Sequence, residues 1–316
     1  MIIWGDSMKN LINFNFGFNI DNIRLVNNNY YFLYSNIQYV FYCVDINKYD
    51  LNGVFKFSIL LHNYNSLFHE IIPNKDNQIT TMVGSEHYVL LKVNVNKNKC
   101  IELHDVVDCM MSVKIDNRFF NRNNQFDWVS LWQSKMDYFE YYINNVDGNN
   151  PYLNELINYY IGLGENAISY VIDTLDGFSG AFDNFVVSHR RIDPDYTIFD
   201  LYNPLNVIVD HMTRDIAEYF KGLFIKNKYN LRDIEKKMSL IHFNELEYRL
   251  FFGRLLFPSF FFDNYELYVN GKIKEKTLLS IVNRIGEYEV FLKKIHVFIS
   301  SRVHIPEINW LKKVDV

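Results

Sequence analysis

Cysteine is scarce in this chain. Cys43, Cys100 and Cys109 are the only three, and no two are spaced as CxxC. They build no disulfide framework and point to reduced thiols in a cytoplasmic protein. A cysteine-based zinc site is excluded as well, because such sites use paired, closely spaced ligands. A membrane span needs about 18 consecutive apolar residues, and no such run occurs. The most apolar stretch, 250–262, is broken by Arg254 and Pro258. The N-terminus has neither a basic segment nor an apolar run, so no signal peptide is expected. Positive charge is not in excess: 32 Lys+Arg face 37 Asp+Glu, a formal net charge of −5. Without a bulk positive field, nucleic-acid binding is not expected. Glycines are not clustered, and alanine occurs only three times.

Asparagine, by contrast, occurs 39 times, and Tyr and Phe together reach 50. AT-rich coding produces that bias more simply than any function does, so aromatic density here says little about stacking sites. Apolar residues at 49% and charged residues at 22% fit a globular chain, and 316 residues suggest two domains or one two-lobed unit.

Residues 22–46 read as short strands rich in Val, Ile, Tyr and Phe, with NNNY and YSN as hairpin connections. Residues 51–68 carry apolar groups at helical spacing. Strand–turn–strand signals follow from 68 to 95, with turns at 74–77 and at Gly84-Ser85. The spacing then predicts a helix through WVSLWQSKMDYFEYYINNV, a break at Gly148-Asn149-Asn150, and a second helix over 151–175 opened by Pro151. Short strands and loops occupy 184–210, a helix 212–225, and three or four helices 231–300. No repeat of 20–50 residues is visible. The expectation is an α+β protein with a strand-rich domain over 1–100, containing one helix, and a helical domain over 101–316.

The loop VVSHRRIDPDY, followed by VIVDH, carries a resemblance. Aminoglycoside/choline-type phosphotransferases have a loop of the form HGDxxPxN and, about 20 positions after its His, a strand ending in a metal-binding Asp. His189 and Pro194 match that loop, and Asp210 follows His189 by 21 positions. The segments LWQSKMDYFEYYI, YYIGLGENAISYV and DHMTRDIAEY resemble, in that order, the spore coat kinase-like proteins of endospore-forming bacteria. So does PNKDNQITTMVGSEHYVLLKV. The resemblance covers about residues 30–300. It implies a protein kinase-like fold with two lobes, a spore-associated setting and protein partners in coat assembly.

Several positions depart from that pattern. Arg191 stands where a kinase has the Asp that orients the substrate hydroxyl and takes its proton. Tyr196 stands where the loop Asn would hold a second Mg²⁺. The strands of 29–46 contain no Lys or Arg, Lys48 comes just after them, and Glu70 lies just past the helix where a Glu would pair with the phosphate-binding Lys. Gly17 is isolated, so no glycine loop can wrap phosphates. The expectation is a degenerate member, a pseudokinase with no cofactor. The alternative is an active phosphotransferase using Mg-ATP, with Asp193 or Asp195 replacing the missing Asp beside Asp210.

For single residues, two readings stay open. His189 braces the loop or acts as a base. Arg190 and Arg191 form a solvated pair or bridge to Asp193, Asp195 or Asp210; in the sharper version, Arg191 fills the cation site against Asp210. Asp210 is a metal ligand or a partner of Arg214 or Arg191. Asp215, in the first turn of its helix, is expected to scaffold the loop, and Thr213 to cap that helix. Gly162 and Gly164 suggest close helix packing around Glu165 and Asn166, and Phe251–Phe262 a core helix ended by Pro258.

Overall fold

The computed structural model describes residues 3–95, 99–115, 127–145, 151–178, 184–228 and 230–315. They divide into two compact units: Met1–Lys114 with Asp195–Ile208, and Ile115–Pro194 with Val209–Val316.

The first unit is built on an antiparallel sheet of β1 (Ile23–Val26), β2 (Asn29–Tyr34), β3 (Ile37–Val44), β4 (Glu70–Ile72), β5 (Thr80–Val83) and β6 (Glu86–Lys92). The order is β1-β2-β3-β6-β4, with β5 also on β6. Asn27 and Asn28, then Ser35 and Asn36, take positive φ in the two tight hairpins. Asn tolerates that conformation better than most residues, so the Asn-rich turns set the register. Strand alternation then sends neighbouring side chains to opposite faces. Phe32, Tyr39, Phe41, Tyr88 and Leu90 pack with Met8 and Ile12 of helix α1 (Ile3–Phe16). Val40, Val44, Val89 and Leu91 face the other way, onto Val54 and Phe55 of α2 (Leu51–Tyr64) and onto Phe199 and Leu205. Helix α3 (Leu103–Met111) follows the sheet.

Three sequence expectations change here. The opening residues form α1, whose Met8, Leu11 and Ile12 recur at helical spacing among asparagines. Helix α2 stops at Tyr64 rather than running to 68, because Asn65 takes extended geometry and accepts the Leu67 N–H on its side chain. Residues 198–201, read as a strand, are the short helix α6 (Ile198–Leu201), started by a reciprocal cap between Thr197 and Asp200. His69 joins this segment to the sheet. Its buried Nε2 donates to the Phe199 carbonyl at 3.1 Å and its Nδ1 accepts from the Asn94 N–H at 3.3 Å. Burial pushes its pKa down to about 4, which keeps the ring neutral.

The second unit holds α4 (Trp128–Asn145), α5 (Pro151–Gly177), β7 (Phe185–His189), β8 (Val207–His211, shared with the first unit) and α7 (Thr213–Ile225). Helices α8 (Leu231–Ser239), α9 (Glu245–Leu256), α10 (Ser259–Val269), α11 (Glu275–Val282), α12 (Ile285–Ser300) and α13 (Asn309–Lys312) complete it. Five helices thus cover 231–300 where three or four were expected. The Phe-rich stretch is two elements, α9 and α10, divided at Pro258, with all five Phe of 251, 252 and 260–262 buried. The expected break at Gly148-Asn149-Asn150 lies outside the described residues.

The glycines separate into kinds. A Cβ on Gly164 would come within 2.6 Å of the Met136 sulfur, and one on Gly253 within 2.6 Å of Val171 Cγ2 and 3.2 Å of the Tyr170 ring. Gly162 has open space instead, so close packing holds for only one glycine of that pair. Chemical unfolding should separate them. Gly253→Ala is expected to destabilise by about 1–3 kcal/mol, because a stiff β-branched neighbour must move. Gly162→Ala should be neutral or stabilise by up to about 1 kcal/mol, the ordinary helix-propensity gain.

Candidate functional site

Strands β7 and β8 form a two-stranded ribbon, and α7 begins just past β8. His189 ends β7 and Asp210 lies near the end of β8. Asp215 sits in the first turn of α7, wholly buried. One carboxylate oxygen of Asp215 accepts from the His189 backbone N–H at 3.0 Å, and the other accepts from the His189 ring Nδ1 at 2.7 Å. The loop backbone and the imidazole are therefore fixed by one side chain.

Arg214 performs a second fixation. Its Nε donates to the His189 carbonyl at 3.2 Å, Nη2 to the Arg190 carbonyl at 3.2 Å, and Nη1 to Asp210 Oδ2 at 2.5 Å. The other Asp210 oxygen accepts from the Trp128 indole N–H at 2.9 Å and from the His211 backbone N–H at 2.7 Å. Asp210 is only 4% exposed. Both of its oxygens are thus engaged by protein donors. His211, beside it, is pushed down to about 4 by burial and is neutral; its Nδ1 meets the Thr213 hydroxyl at 2.9 Å. Thr213 is spent on that contact, and the α7 cap position falls on Met212, with no side-chain cap bond.

Arg191 does not pair with Asp210. Its Nη2 meets Asp263 Oδ2 on α10 at 2.8 Å, and Lys135 of α4 holds the other Asp263 oxygen at 2.8 Å. The reason is local: Arg214, four residues after Asp210 and in the first turn of α7, reaches it, while Asp263 offers Arg191 a half-buried partner. Asp193 lies 3.8 Å from Lys226. Gly222 lets this part of the loop approach α7, since a Cβ there would fall 2.5 Å from Pro194. Asp195 and Tyr196 belong to the first unit, where the Tyr196 carbonyl accepts from the Ile101 N–H at 2.8 Å.

The remaining sequence candidates have structural partners. Lys48 pairs with Asp45 at 3.5 Å on the surface, Glu70 with Lys92 at 2.6 Å, and Gly17, at φ 70°, ends α1. Among the described residues no three His, Cys, Asp or Glu groups gather as metal ligands.

The sequence reading passed over a buried ion cluster next to Asp210. Glu218 of α7 accepts from Lys221 Nζ and Arg254 Nε, each at 3.0 Å, and from the Ser259 hydroxyl at 3.3 Å. Lys221 also donates to the Phe257 carbonyl at 3.0 Å. The Arg254 guanidinium lies 4.6 Å from the Trp128 ring centre, a cation–π contact. Burial lowers Lys221 to about 8 and Arg254 to about 10. Glu218 is held well below 4.5: burial alone would raise it, but Lys221, Arg254 and Arg214 outweigh that. Arg254 as an interruption of the apolar stretch was the available signal.

Replacing Glu218 by Gln leaves Lys221 and Arg254 without a counter-charge and is expected to destabilise by about 3–5 kcal/mol. A depressed carboxylate stabilises the fold above its ordinary pKa and loses that contribution as pH falls below it. Wild type should therefore lose stability as pH falls below about 4.5, with a shallower slope in Glu218→Gln. Unfolding free energies across pH 7 to 3 check both points.

The comparisons with known proteins agree with this geometry. The family model described as "Spore coat putative kinase YutH" matches residues 9–295. The endospore coat-associated protein YutH of Bacillus subtilis (strain 168) is 30% identical over 214 residues, 59% of this chain and 61% of that protein. The match thus spans less than two thirds of the relative's length. An aminoglycoside phosphotransferase from Alicyclobacillus acidocaldarius superposes with a TM-score of 0.57 at 11% identity, covering 89% of this chain and 91% of that one. Spectinomycin phosphotransferase, solved with ADP and spectinomycin, gives 0.55 at 10% identity, with 95% of each chain covered. A microcompartment-associated aminopropanol kinase gives 0.54 at 9%, covering 94% and 98%. At such identities these structures show the fold alone, a protein kinase-like one with a strand-rich N-terminal sheet and a mostly helical C-terminal part. With the family model spanning most of its length, the chain belongs to the spore coat putative kinase YutH family.

Proposed function

We propose that this chain is a kinase-fold protein that does not transfer phosphate and serves as a binding or structural component associated with the endospore coat. The observation that carries the reading is the state of Asp210. A metal-binding Asp must offer a free oxygen to a hard cation. Here Arg214, Trp128 and the His211 N–H take both oxygens. A guanidinium cannot be deprotonated at ordinary pH, so it does not yield by titration. The position of the catalytic Asp supports the same reading: Arg191 offers no base, and Asp263 holds it. The coat setting rests on family membership and on the name of the Bacillus subtilis relative. Its mode of action there would be through protein partners.

Thermal unfolding with and without millimolar Mg-ATP tests this reading. A ligand at 100 times its dissociation constant stabilises a fold by about 2.7 kcal/mol, a rise of a few degrees for a chain of this size. A flat response is expected. Asp210→Asn should lower stability without nucleotide by about 1.5–3 kcal/mol, read as a lower midpoint, because Arg214 loses a charged partner. A magnesium-dependent rise in wild type that Asp210→Asn abolishes would falsify the proposal and favour a rearranged phosphotransferase using Asp193 or Asp195.

A further inference from the structure

A cavity of about 320 Å³ lies between α12 and the segment that follows it. Ligand pockets begin at about 300 Å³, so it can hold a small molecule. It is built by a turn-back of the chain after Ser300. The His296 ring Nε2 donates to the Pro306 carbonyl at 3.0 Å, and the Trp310 indole N–H donates to Asn166 of α5 at 3.1 Å. Arg249 of α9 donates to the His304 carbonyl at 3.2 Å. Three elements thus hold the returning segment in place and keep the cavity open.

The lining is of two kinds. Ile305, Ile308 and Leu311 supply an apolar floor, each less than 9% exposed. Lys293, Lys312 and His304 stand around it with a single carboxylate, Glu307. Glu307 is paired with Lys312. Among the described residues no carboxylate pairs with Lys293, whose Nζ makes one weak bond, to the Lys312 carbonyl at 3.4 Å. A hydrogen bond that long is readily exchanged for a charged acceptor. Net positive charge therefore stands over an apolar surface. A fully hydrated ion would gain nothing from such a floor, and a neutral apolar molecule would leave Lys293 unanswered.

We propose that this cavity binds a small organic carboxylate. Its apolar body rests on Ile305, Ile308 and Leu311, and its carboxylate is held by Lys293 with Lys312 beside it. This site is separate from the one around Asp210. Of its ten lining residues, all but Lys293 lie beyond residue 295, where the family model's match ends. The inference stands whether or not the chain transfers phosphate.

The test uses the full chain and four probes: hexanoate and 4-phenylbutanoate, each against its neutral amide. Calorimetric titration gives affinity, and the imidazole NMR signals of His296 and His304 report the place of binding. At least one carboxylate is expected to bind about tenfold more tightly than its amide, since a hydrogen bond to a charged group contributes roughly that factor. The signals of both histidines should shift on binding. Lys293→Met keeps the aliphatic stem and should weaken binding about tenfold with an unchanged unfolding midpoint. Lys312→Met, at an exposed position, provides a second variant. Equal affinity for carboxylate and amide overturns the proposal. So does an absence of binding at millimolar concentration, or binding that both substitutions leave intact.

Discussion

The planar guanidinium of Arg214 is the interaction on which the arrangement around β7, β8 and α7 depends. It donates in three directions, to two successive loop carbonyls and to the Asp210 carboxylate. A lysine could not replace it, because a single ammonium cannot present donors along those fixed lines. Asp215 works from the same helical turn on the neighbouring backbone N–H and the His189 ring. Two consecutive residues of α7 therefore hold the His189 N–H and the His189 and Arg190 carbonyls. The loop is shaped by the start of a helix.

That solution places positive charge inside the protein, which has to be answered. Arg214, Lys221 and Arg254 are all buried or nearly so, against Asp210 and Glu218. Trp128 adds to the compensation. Its indole N–H satisfies Asp210 while its face receives Arg254. Burying a cation without a partner is strongly unfavourable, and an aromatic face recovers part of the lost hydration. One aromatic residue on α4 thus joins the ribbon to α9. The cluster is a scaffold that no group in it can leave alone without exposing a buried charge.

Much of the framework was legible because it follows from periodicity and turn chemistry. The Asn-rich turns mark two hairpins, Pro151 opens α5, and the segment from His189 to Asp210 is recognisable by its resemblance to the phosphotransferase loop, supported by the neighbouring segments. What was not legible depended on three-dimensional competition. Nothing in the sequence says that Arg191 prefers Asp263, 72 positions away, over Asp210, 19 away. Helix α1 was hidden because asparagines interrupt its short apolar stripe. Glu218 and Lys221 stand at ordinary helical spacing, and only burial against Ser259 and Arg254 distinguishes them.

A kinase site can lose its chemistry by deletion or by occupation, and the two differ in reversibility. Deletion of a base leaves a vacancy that one substitution can refill. Here each position is taken up by a paired group: Arg191 by Asp263, and Asp210 by Arg214 and Trp128. Arg191→Asp would set a carboxylate near Asp263, leave Lys135 as the cation paired with Asp263, and still not free Asp210. On the proposed reading, freeing Asp210 for a metal would require removal of Arg214, which also releases the His189 and Arg190 carbonyls that it ties down. The pairs that close the site are the same pairs that shape the loop, so on the proposed reading stability and loss of catalysis are one structural fact.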